Sequence, residues 1–239
     1  MDKLYIVIPA YNEEENIEAV INDWYPIVEK IGNGSRLVII DDGSQDNTYP
    51  IIREAADRLE ALEALTKPNG GHGATILYGY KYAMEKGADY IFQTDSDGQT
   101  LSEEFWPFWE KRKAFDMVIG HRKKRQDGLF RILVTKFLKI TLWFCFRVWI
   151  KDANTPFRLM KVTVLSKYIN LIPEGYNLTN VIISVIFERA KLKVEYMPIT
   201  FRPRQGGVNK INMKKIFRIG KQAVSDFRDI DKVLKKEKI

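Results

Sequence analysis

The segment LYIVIPAYNEEEN, residues 4–16, decides the fold. Its apolar run, residues 4–8, is followed at once by a polar and acidic loop, the pattern of a buried strand that ends at a ligand-binding edge. Asn12 and Glu15 have the spacing of a capping box, and acidic residues favour the first turn of a helix. We therefore expect a first helix over residues 13–30, directly after the first strand.

Two later segments repeat this arrangement. Residues 37–40 and 90–94 are short runs rich in Ile, Val and aromatic residues, separated by amphipathic stretches. A second helix is expected to begin near residues 48–50, since proline is tolerated in a first turn. Residues 62–66 are either the end of that helix or a short edge strand. The order of elements predicts an α/β protein with a buried, mostly parallel sheet flanked by helices.

The rest of the chain adds fewer clear elements. Residues 69–73, Asn-Gly-Gly-His-Gly, are typical of a turn that leads into a helix N-terminus, here a helix over residues 74–86 ended by a glycine. A further helix is expected near residues 178–189 and a strand over residues 193–201. A basic helical tail follows.

Length and composition limit the possible classes of protein. The 239 residues, 45% of them hydrophobic, suit one domain with one core. The single cysteine, Cys145, cannot form an internal disulfide, which favours a reducing compartment. The first residues lack the features of a signal peptide. The most apolar stretch, residues 130–150, carries four Lys or Arg side chains, so it suits a membrane surface better than a membrane span. We expect a cytoplasmic protein, peripheral on the cytoplasmic face of a membrane.

The positive charge is concentrated in two stretches. The formal net charge is +7, whereas residues 122–151 and 201–239 together carry +16 and the remainder −9. Such a surface suits anionic lipid or phosphorylated small molecules. Nucleic acid is a poorer partner, because the acidic loops would repel its phosphates unless a metal ion were present.

Residues 122–151 interleave aromatic side chains with cations. Trp143, Phe144, Phe146 and Trp149 are typical of an interfacial helix. A helix buried against a membrane protein partner or within a homodimer has the same composition. The last twenty residues of the basic tail, residues 220–239, are equally compatible with a simple solvated helix.

Three predicted strands end in polar, mostly acidic loops. Because the carboxyl ends of parallel strands share one edge of a sheet, residues 9–13, 41–44 and 95–99 should converge there. Converging carboxylates need a cation to offset their repulsion. Asp95 and Asp97, two residues apart, could offer oxygens to one hard divalent ion that also holds two phosphates. Of the neighbouring pair, Asp42 is better placed to face the crevice, whereas Asp41 could simply brace the sheet.

The order of these loops resembles family two glycosyltransferases of the GT-A fold, in particular the dolichol-phosphate mannose synthase-like branch. The resemblance spans roughly residues 4–212. The segments that carry it are residues 8–14, 41–46, 69–73, 95–99, 152–158 and 204–210.

The resemblance implies a role for each matching position. The base and ribose of a nucleotide diphosphate sugar would be held by Pro9, Tyr11, Glu13 and Asp42. Asp95, Asp97 and Gln99 would ligate Mg or Mn together with the diphosphate. Basic residues near the donor and acceptor phosphates would be Arg122, Arg204 and Lys210, and Asp152 could orient the acceptor. The residues implied to be catalytic are Asp97, Asp152 and Arg204.

The sequence also departs from these relatives. His72 stands where lysine is frequent, and we expect it to be a turn residue that bonds the backbone and has no catalytic role. Thr155 and Pro156 replace the commoner Ser-Gly pair, and Asn180 stands where an acid is frequent. These departures affect the acceptor side.

The resemblance implies an inverting, metal-dependent glycosyltransferase acting in cell envelope biogenesis, with polyprenyl phosphate at the membrane surface as acceptor. A same-fold transferase to a saccharide hydroxyl of a cell-surface polysaccharide is one alternative. A non-catalytic scaffold that binds nucleotide sugars is another. Residues 1–212 would form the GT-A domain and residues 213–239 a separate tail. The donor base, the sugar and the oligomeric state are not determined by the sequence.

Overall fold

The computed structural model describes residues 2–122, 129–202, 213–237 and 239. For residues 129–137 and 213–222 it describes the backbone alone. The strands are β1 (Leu4–Ala10), β2 (Arg36–Asp41), β3 (Leu62–Thr66), β4 (Tyr90–Gln93), β5 (Met117–Arg122), β6 (Arg158–Lys161) and β7 (Val194–Ile199). The helices are α1 (Ile17–Ile31), α2 (Thr48–Arg58), α3 (His72–Glu85), α4 (Phe105–Lys111), α5 (Leu129–Phe146), α6 (Val162–Leu165), α7 (Thr179–Arg189) and α8 (Met213–Lys236).

The described strands form one sheet in the order β3-β2-β1-β4-β6-β5-β7. Strand β6 is antiparallel to both of its neighbours, and all other pairings are parallel. This confirms the predicted mostly parallel sheet and makes residues 62–66 an edge strand. The carboxyl ends of β1, β2, β4, β5 and β7 therefore lie at the same edge, where β6 begins.

Each face of the sheet carries a hydrophobic layer, because successive side chains of a strand point to opposite faces. Ile6 and Ile8 pack with α1 and with a cluster of aromatic rings, in which the Phe92 and Phe157 centroids lie 4.7 Å apart, edge to face. Val7 packs on the other face with residues of α3, α7 and α8. A strand with both faces buried has no polar alternation, as the β1 sequence shows.

The predicted capping box at Asn12 and Glu15 is wrong. Helix α1 begins at Ile17, and no side chain caps it at Asn16. Asn12 adopts a left-handed φ of 53°, and its Oδ1 accepts a hydrogen bond of 2.9 Å from the backbone of Gln45. Asn12 is thus hydrogen-bonded to the loop after β2 and does not cap the helix.

The basic and aromatic segment contains helix α5, and the basic tail forms helix α8. Ala223, Phe227, Ile230 and Leu234 of α8 are buried in the same layer as α7. The Phe146 and Phe227 rings pack with centroids 5.5 Å apart. Helix α8 therefore packs on the α/β core, and the domain boundary near residue 212 stays a prediction. Within the described residues, no helix has the combined length and apolarity to cross a membrane.

Candidate active site

A crevice of about 420 Å³ opens at the carboxyl ends of β1, β2 and β4. Six of the predicted site residues share its lining: Pro9, Tyr11, Glu13, Asp42, Asp95 and Asp97. The lining is completed by Ala10, Asn69, Gly71, His72, Thr75 and Ser96. The convergence of the three loops, expected from strand order alone, is therefore confirmed.

The first loop presents one ring and one carboxylate to this crevice. Tyr11 lines the crevice and is 44% exposed. Glu13 is buried, and its Oε2 accepts a hydrogen bond of 2.8 Å from Asn16 Nδ2. Its backbone N–H donates to Thr48 Oγ1 at 2.8 Å. These bonds hold the carboxylate in place at the crevice wall.

The two adjacent acids at the end of β2 have different roles, as expected. Asp41 is a brace: its carboxylate accepts bonds from Thr66 Oγ1 at 2.8 Å and from the Ser44 backbone at 3.1 Å. Asp42 lines the crevice and is bound by Lys67 Nζ and by the backbone N–H groups of Gly70 and Gly71, both at 2.9 Å.

Burial alone would raise the pKa of Asp42. The contacts with Lys67, the Gly70 backbone and Thr75 outweigh burial and hold that pKa below its ordinary value. Asp42 is therefore ionised at neutral pH, and it fixes the glycine-rich turn that opens α3.

Asp95 and Asp97 lie after β4, and both are partly buried. Asp95 Oδ1 accepts a bond of 3.1 Å from Gln93 Nε2 and lies 2.9 Å from His72 Nε2. Asp97 Oδ1 accepts a bond of 3.2 Å from the Gln99 backbone. Both partners of Asp95 use the same oxygen, so its Oδ2 faces none of these donors.

The donor set suits a hard divalent ion held jointly with a ligand. Carboxylate oxygens are the ligands preferred by Mg²⁺, and two carboxylates plus substrate phosphates are a usual set for it. Among the described residues, no group of three or more His, Cys, Asp or Glu side chains could hold a metal ion by itself. Asp95 and Asp97 therefore fit a metal ion whose other ligands come from a diphosphate and water.

A chain of hydrogen bonds between three buried polar side chains ends at the Asp95 carboxylate. Tyr80 Oη donates to Asn180 Oδ1 at 3.4 Å, Asn180 Nδ2 donates to Gln93 Oε1 at 3.1 Å, and Gln93 then donates to Asp95. Tyr80, Gln93 and Asn180 are buried. Asn180, which the sequence marked as a departure on the acceptor side, thus belongs to the support of Asp95.

His72 contradicts its predicted role as a turn residue that bonds the backbone. It is the first residue of α3, and its ring contacts the Asp95 carboxylate. Partial desolvation of the ring opposes its protonation, but the carboxylates of Asp95, Asp97 and Asp42 outweigh this and raise the pKa of His72. Sequence spacing could not place this pair, because strand order decides which loops meet.

Among the described residues, Gln99, Arg122 and Asp152 lie outside the crevice lining. Gln99 exchanges two bonds with Arg202: its backbone carbonyl accepts at 2.8 Å and its Nε2 donates at 2.7 Å. Arg122 and Asp152 form a bidentate pair. Arg204 and Lys210 lie outside the described residues. The roles assigned to all four positions and to Gln99 stay predictions.

Arg158 is a buried cation that the sequence did not single out as a site residue. Its side chain is fully buried and donates to the backbone carbonyls of Ala153, Thr155 and Asn180 at distances from 2.7 to 3.2 Å. It thereby fixes the loop that follows Asp152. A buried guanidinium with its donors satisfied is expected to be structural.

A mostly parallel sheet with an acidic crevice at the carboxyl ends of its strands defines an α/β protein of the class that binds ligands at this edge. The family model "Glycosyl transferase family 2" matches residues 5–169. The chain belongs to glycosyl transferase family 2.

Curated relatives share part of this chain. The undecaprenyl-phosphate 4-deoxy-4-formamido-L-arabinose transferase of Pectobacterium atrosepticum is 32% identical over 140 residues, which are 57% of this chain and 42% of that protein. The transferase of the same name from Salmonella paratyphi B is 30% identical over 143 residues, 59% of this chain and 43% of that protein. The chain thus spans less than half the length of these relatives.

Solved structures share the fold over nearly the whole chain. Glucosyl-3-phosphoglycerate synthase from Mycobacterium tuberculosis, in complex with phosphoglyceric acid, superposes with a TM-score of 0.69 at 17% identity, covering 96% of this chain and 80% of that one. The same enzyme with Mn²⁺, UDP-glucose and phosphoglyceric acid gives the same TM-score, identity and coverage. This similarity establishes the fold.

Proposed function

We propose that this chain transfers a sugar from a nucleotide diphosphate sugar to a polyprenyl phosphate at a membrane surface, with inversion at the anomeric carbon. The observation that carries the proposal is the crevice in which Asp95 and Asp97 meet Tyr11, Glu13 and Asp42. The named activity of the curated relatives, transfer to undecaprenyl phosphate, supports the acceptor.

The first two loops would bind the nucleoside. Tyr11 offers an exposed ring against which a base can stack, and the carboxylates of Glu13 and Asp42 can accept hydrogen bonds from a base or from ribose hydroxyls. Because Asp42 is already held by Lys67 and the turn at Gly70, the donor would meet a preformed wall.

Asp95 and Asp97 would hold Mg or Mn, which when bound offsets the negative charge that builds on the leaving diphosphate. The chain's own task is to orient these carboxylates. Gln93 and His72 fix one oxygen of Asp95, so the other can face the ion. The complexes of the mycobacterial enzyme contain Mn²⁺ with UDP-glucose, which supports a divalent ion in this site.

The pairing of Asp152 with Arg122 favours an acceptor that is already anionic. Both oxygens of Asp152 accept charge-assisted bonds from Arg122, and protonation would disrupt that pairing. A hydroxyl acceptor needs a group that takes up its proton, whereas a phosphate oxygen does not. Asp152 would then position the acceptor through Arg122 without acting as a base.

Contact with the membrane would come from the segment 122–151. Its helix α5 exposes Trp143 and Phe144, and Trp149 follows it on the surface. These side chains suit the headgroup region of a bilayer, where a polyprenyl phosphate presents its phosphate.

A product assay tests the proposal. The purified chain is incubated with Mn²⁺, with each of UDP-glucose, UDP-N-acetylglucosamine and GDP-mannose carrying a labelled sugar, and with vesicles that contain polyprenyl phosphate. We expect label in the lipid phase with one donor, and loss of that label in Asp97→Asn but not in the matched surface variant Asp57→Asn. Label on an added oligosaccharide instead would show the saccharide acceptor, and donor binding without any product would show the scaffold.

A further inference from the structure

A second cavity, of about 520 Å³, lies where the ends of α5, α7 and α8 meet. It shares no lining residue with the acidic crevice. Four cations line it, together with one carboxylate, Asp231: these are Arg147, Arg189, Arg228 and Lys235.

The single carboxylate is already used by two of the cations. Arg189 Nη1 contacts Asp231, and Lys235 Nζ lies 2.6 Å from its other oxygen. Within the described part of the chain, Arg147 and Arg228 form no ion pair. The cavity therefore keeps an excess of positive charge, and two guanidinium groups remain available to an anion.

Arg147 is held at the cavity by an unusual backbone conformation. It follows α5 with a φ of 59°, a left-handed conformation that glycine adopts most easily at a helix end. Its backbone N–H donates to the Trp143 carbonyl at 2.9 Å, and its guanidinium lies 4.9 Å from the centroid of the Trp143 ring. An arginine here strains the backbone, and it places a cation beside an exposed ring.

Exposed aromatic side chains line this cavity or lie close to its lining residues in sequence. Phe144 lines it and is 64% exposed, Trp143 packs edge to face on Phe144, and Trp149 is 65% exposed. Large aromatic side chains with this exposure, adjoining cations, match the layered chemistry of an anionic bilayer, in which phosphates lie above the acyl chains.

We infer that this cavity binds the anionic headgroup of a membrane phospholipid, while the aromatic side chains around it enter the bilayer interface. The inference adds a second site, and it rests on the proposed function only in placing the chain at a membrane. Arg147 and Arg228 would contact the phosphate, and Trp143, Phe144 and Trp149 would enter the interface. A short segment, residues 147–152, connects this cavity to Asp152. Binding of a lipid headgroup in the cavity would therefore hold Asp152, the proposed acceptor-positioning residue, close to the bilayer.

Vesicle flotation of the full chain tests the inference, with neutral phosphatidylcholine compared against phosphatidylcholine mixed with phosphatidylglycerol. The variant Arg147→Glu/Arg228→Glu should reduce partitioning onto anionic vesicles at least about tenfold. The matched control, Lys232→Glu/Lys236→Glu, makes the same change in net charge on exposed residues of α8 outside the cavity lining and should stay within about threefold of the unaltered chain. Phe144→Ala/Trp149→Ala should lower partitioning onto both kinds of vesicle.

Equal losses in the two charge-reversal variants would overturn the site, because they would show general electrostatic attraction only. Binding of inorganic phosphate that is lost in Arg147→Glu/Arg228→Glu, while partitioning of this variant onto anionic vesicles is unchanged, would overturn the assignment to lipid in favour of a free phosphate. Donor binding measured without vesicles separates this test from that of the proposed function. The donor should bind equally well to every variant. If the unaltered chain does not bind the donor, the proposed donor site in the crevice is contradicted, and the lipid site in this cavity is not.

Discussion

Arg122 and Asp152 are joined by two parallel hydrogen bonds, Nε to Oδ2 and Nη2 to Oδ1, each 2.9 Å long. Both side chains are largely buried, and the guanidinium also lies 5.0 Å from the centroid of the Phe201 ring. The pair thus links the end of β5, the loop before β6 and the residues after β7 at the site edge.

This geometry predicts that Arg122→Lys lowers turnover about tenfold or more, because lysine keeps the charge but cannot form the bidentate pair. Asp152→Asn should have a similar effect. Steady-state rates of the two single variants and the double variant form the check. If the residues act as one unit, the double variant loses little more than either single one, whereas additive losses would show independent roles.

Metal removal should abolish the stabilisation of the protein by its donor. Without the divalent ion, Asp95 and Asp97 repel the diphosphate, so a chelator should remove the donor-dependent rise in melting temperature. At a donor concentration a hundredfold above Kd that stabilisation corresponds to about 2.7 kcal/mol. Asp95→Asn should lose it even with Mn²⁺ present, and Asp57→Asn should retain it. A donor that stabilises the chelated protein equally well would contradict the metal site.

The buried amides behind Asp95 predict a combined effect on stability and on metal binding. Gln93→Leu leaves the Asn180 amide buried without its acceptor, which should cost about 2 kcal/mol of unfolding free energy. It also frees the Asp95 carboxylate to turn, so Mn²⁺ affinity should fall about tenfold.

Calorimetry with Mn²⁺ and the donor, beside chemical denaturation, measures both effects of Gln93→Leu. Ser35→Ala is the control: it removes a buried bond of 3.0 Å to the Leu4 backbone, at the opposite end of β1. This control should lose stability without any change in Mn²⁺ affinity. A Gln93→Leu protein with unaltered affinity would show that the amides serve packing alone.

Gly71 is required by backbone conformation and by space. Its φ is 86°, and an added Cβ would lie 2.7 Å from Asn177 Oδ1, in a turn whose N–H groups bind Asp42. Gly71→Ala should cost about 1–3 kcal/mol and weaken donor binding. Gly87 has a φ of 73°, and nothing lies within 4 Å of an added Cβ. Gly87→Ala should therefore lower the unfolding free energy only by the backbone strain. Denaturation and donor titration of both variants measure the difference, and equal donor affinities would contradict the role of the turn.

The pH dependence of stability should reveal how α8 is held. Burial raises the pKa of Asp231, but the contacts with Lys235 and Arg189 outweigh it and depress that pKa below its ordinary value of 3.8. A depressed folded-state pKa gives stability that is present above the unfolded-state value and is lost as the pH falls through the folded-state value. Asp231→Asn should therefore cost about 2 kcal/mol at pH 7 and progressively less below about pH 4. A cost that does not change with pH would assign the effect to packing.

The sequence predicted the sheet edge well, because a parallel arrangement follows from strand and helix order. Three short apolar runs and the loops after them were sufficient to bring Pro9, Asp42 and Asp97 into one crevice. The different roles of Asp41 and Asp42 were also confirmed: Asp41, the last residue of β2, binds Thr66 and Ser44, whereas Asp42, the next residue, lines the crevice.

Other features depend on contacts that local patterns do not contain. Strands β5 and β6 were not predicted, because neither is followed by an acidic loop, and the reversed direction of β6 depends on its pairing with β4 and β5. The contact of His72 with Asp95 joins loops far apart in sequence. Asn12 has the spacing of a capping residue, yet a partner at Gln45 across the sheet edge determines its conformation.

The reversed strand β6 has a consequence for how such a protein can diversify. Because β5 ends and β6 starts at the same edge, the whole excursion from residue 123 to residue 157 leaves and re-enters the sheet beside the crevice. Its buried side chains, such as Phe146 and Phe157, belong to the core, whereas exposed ones such as Phe144 and Trp149 contribute nothing to it. Substitutions at the exposed positions can therefore change the surface beside the crevice without shifting the register of any strand.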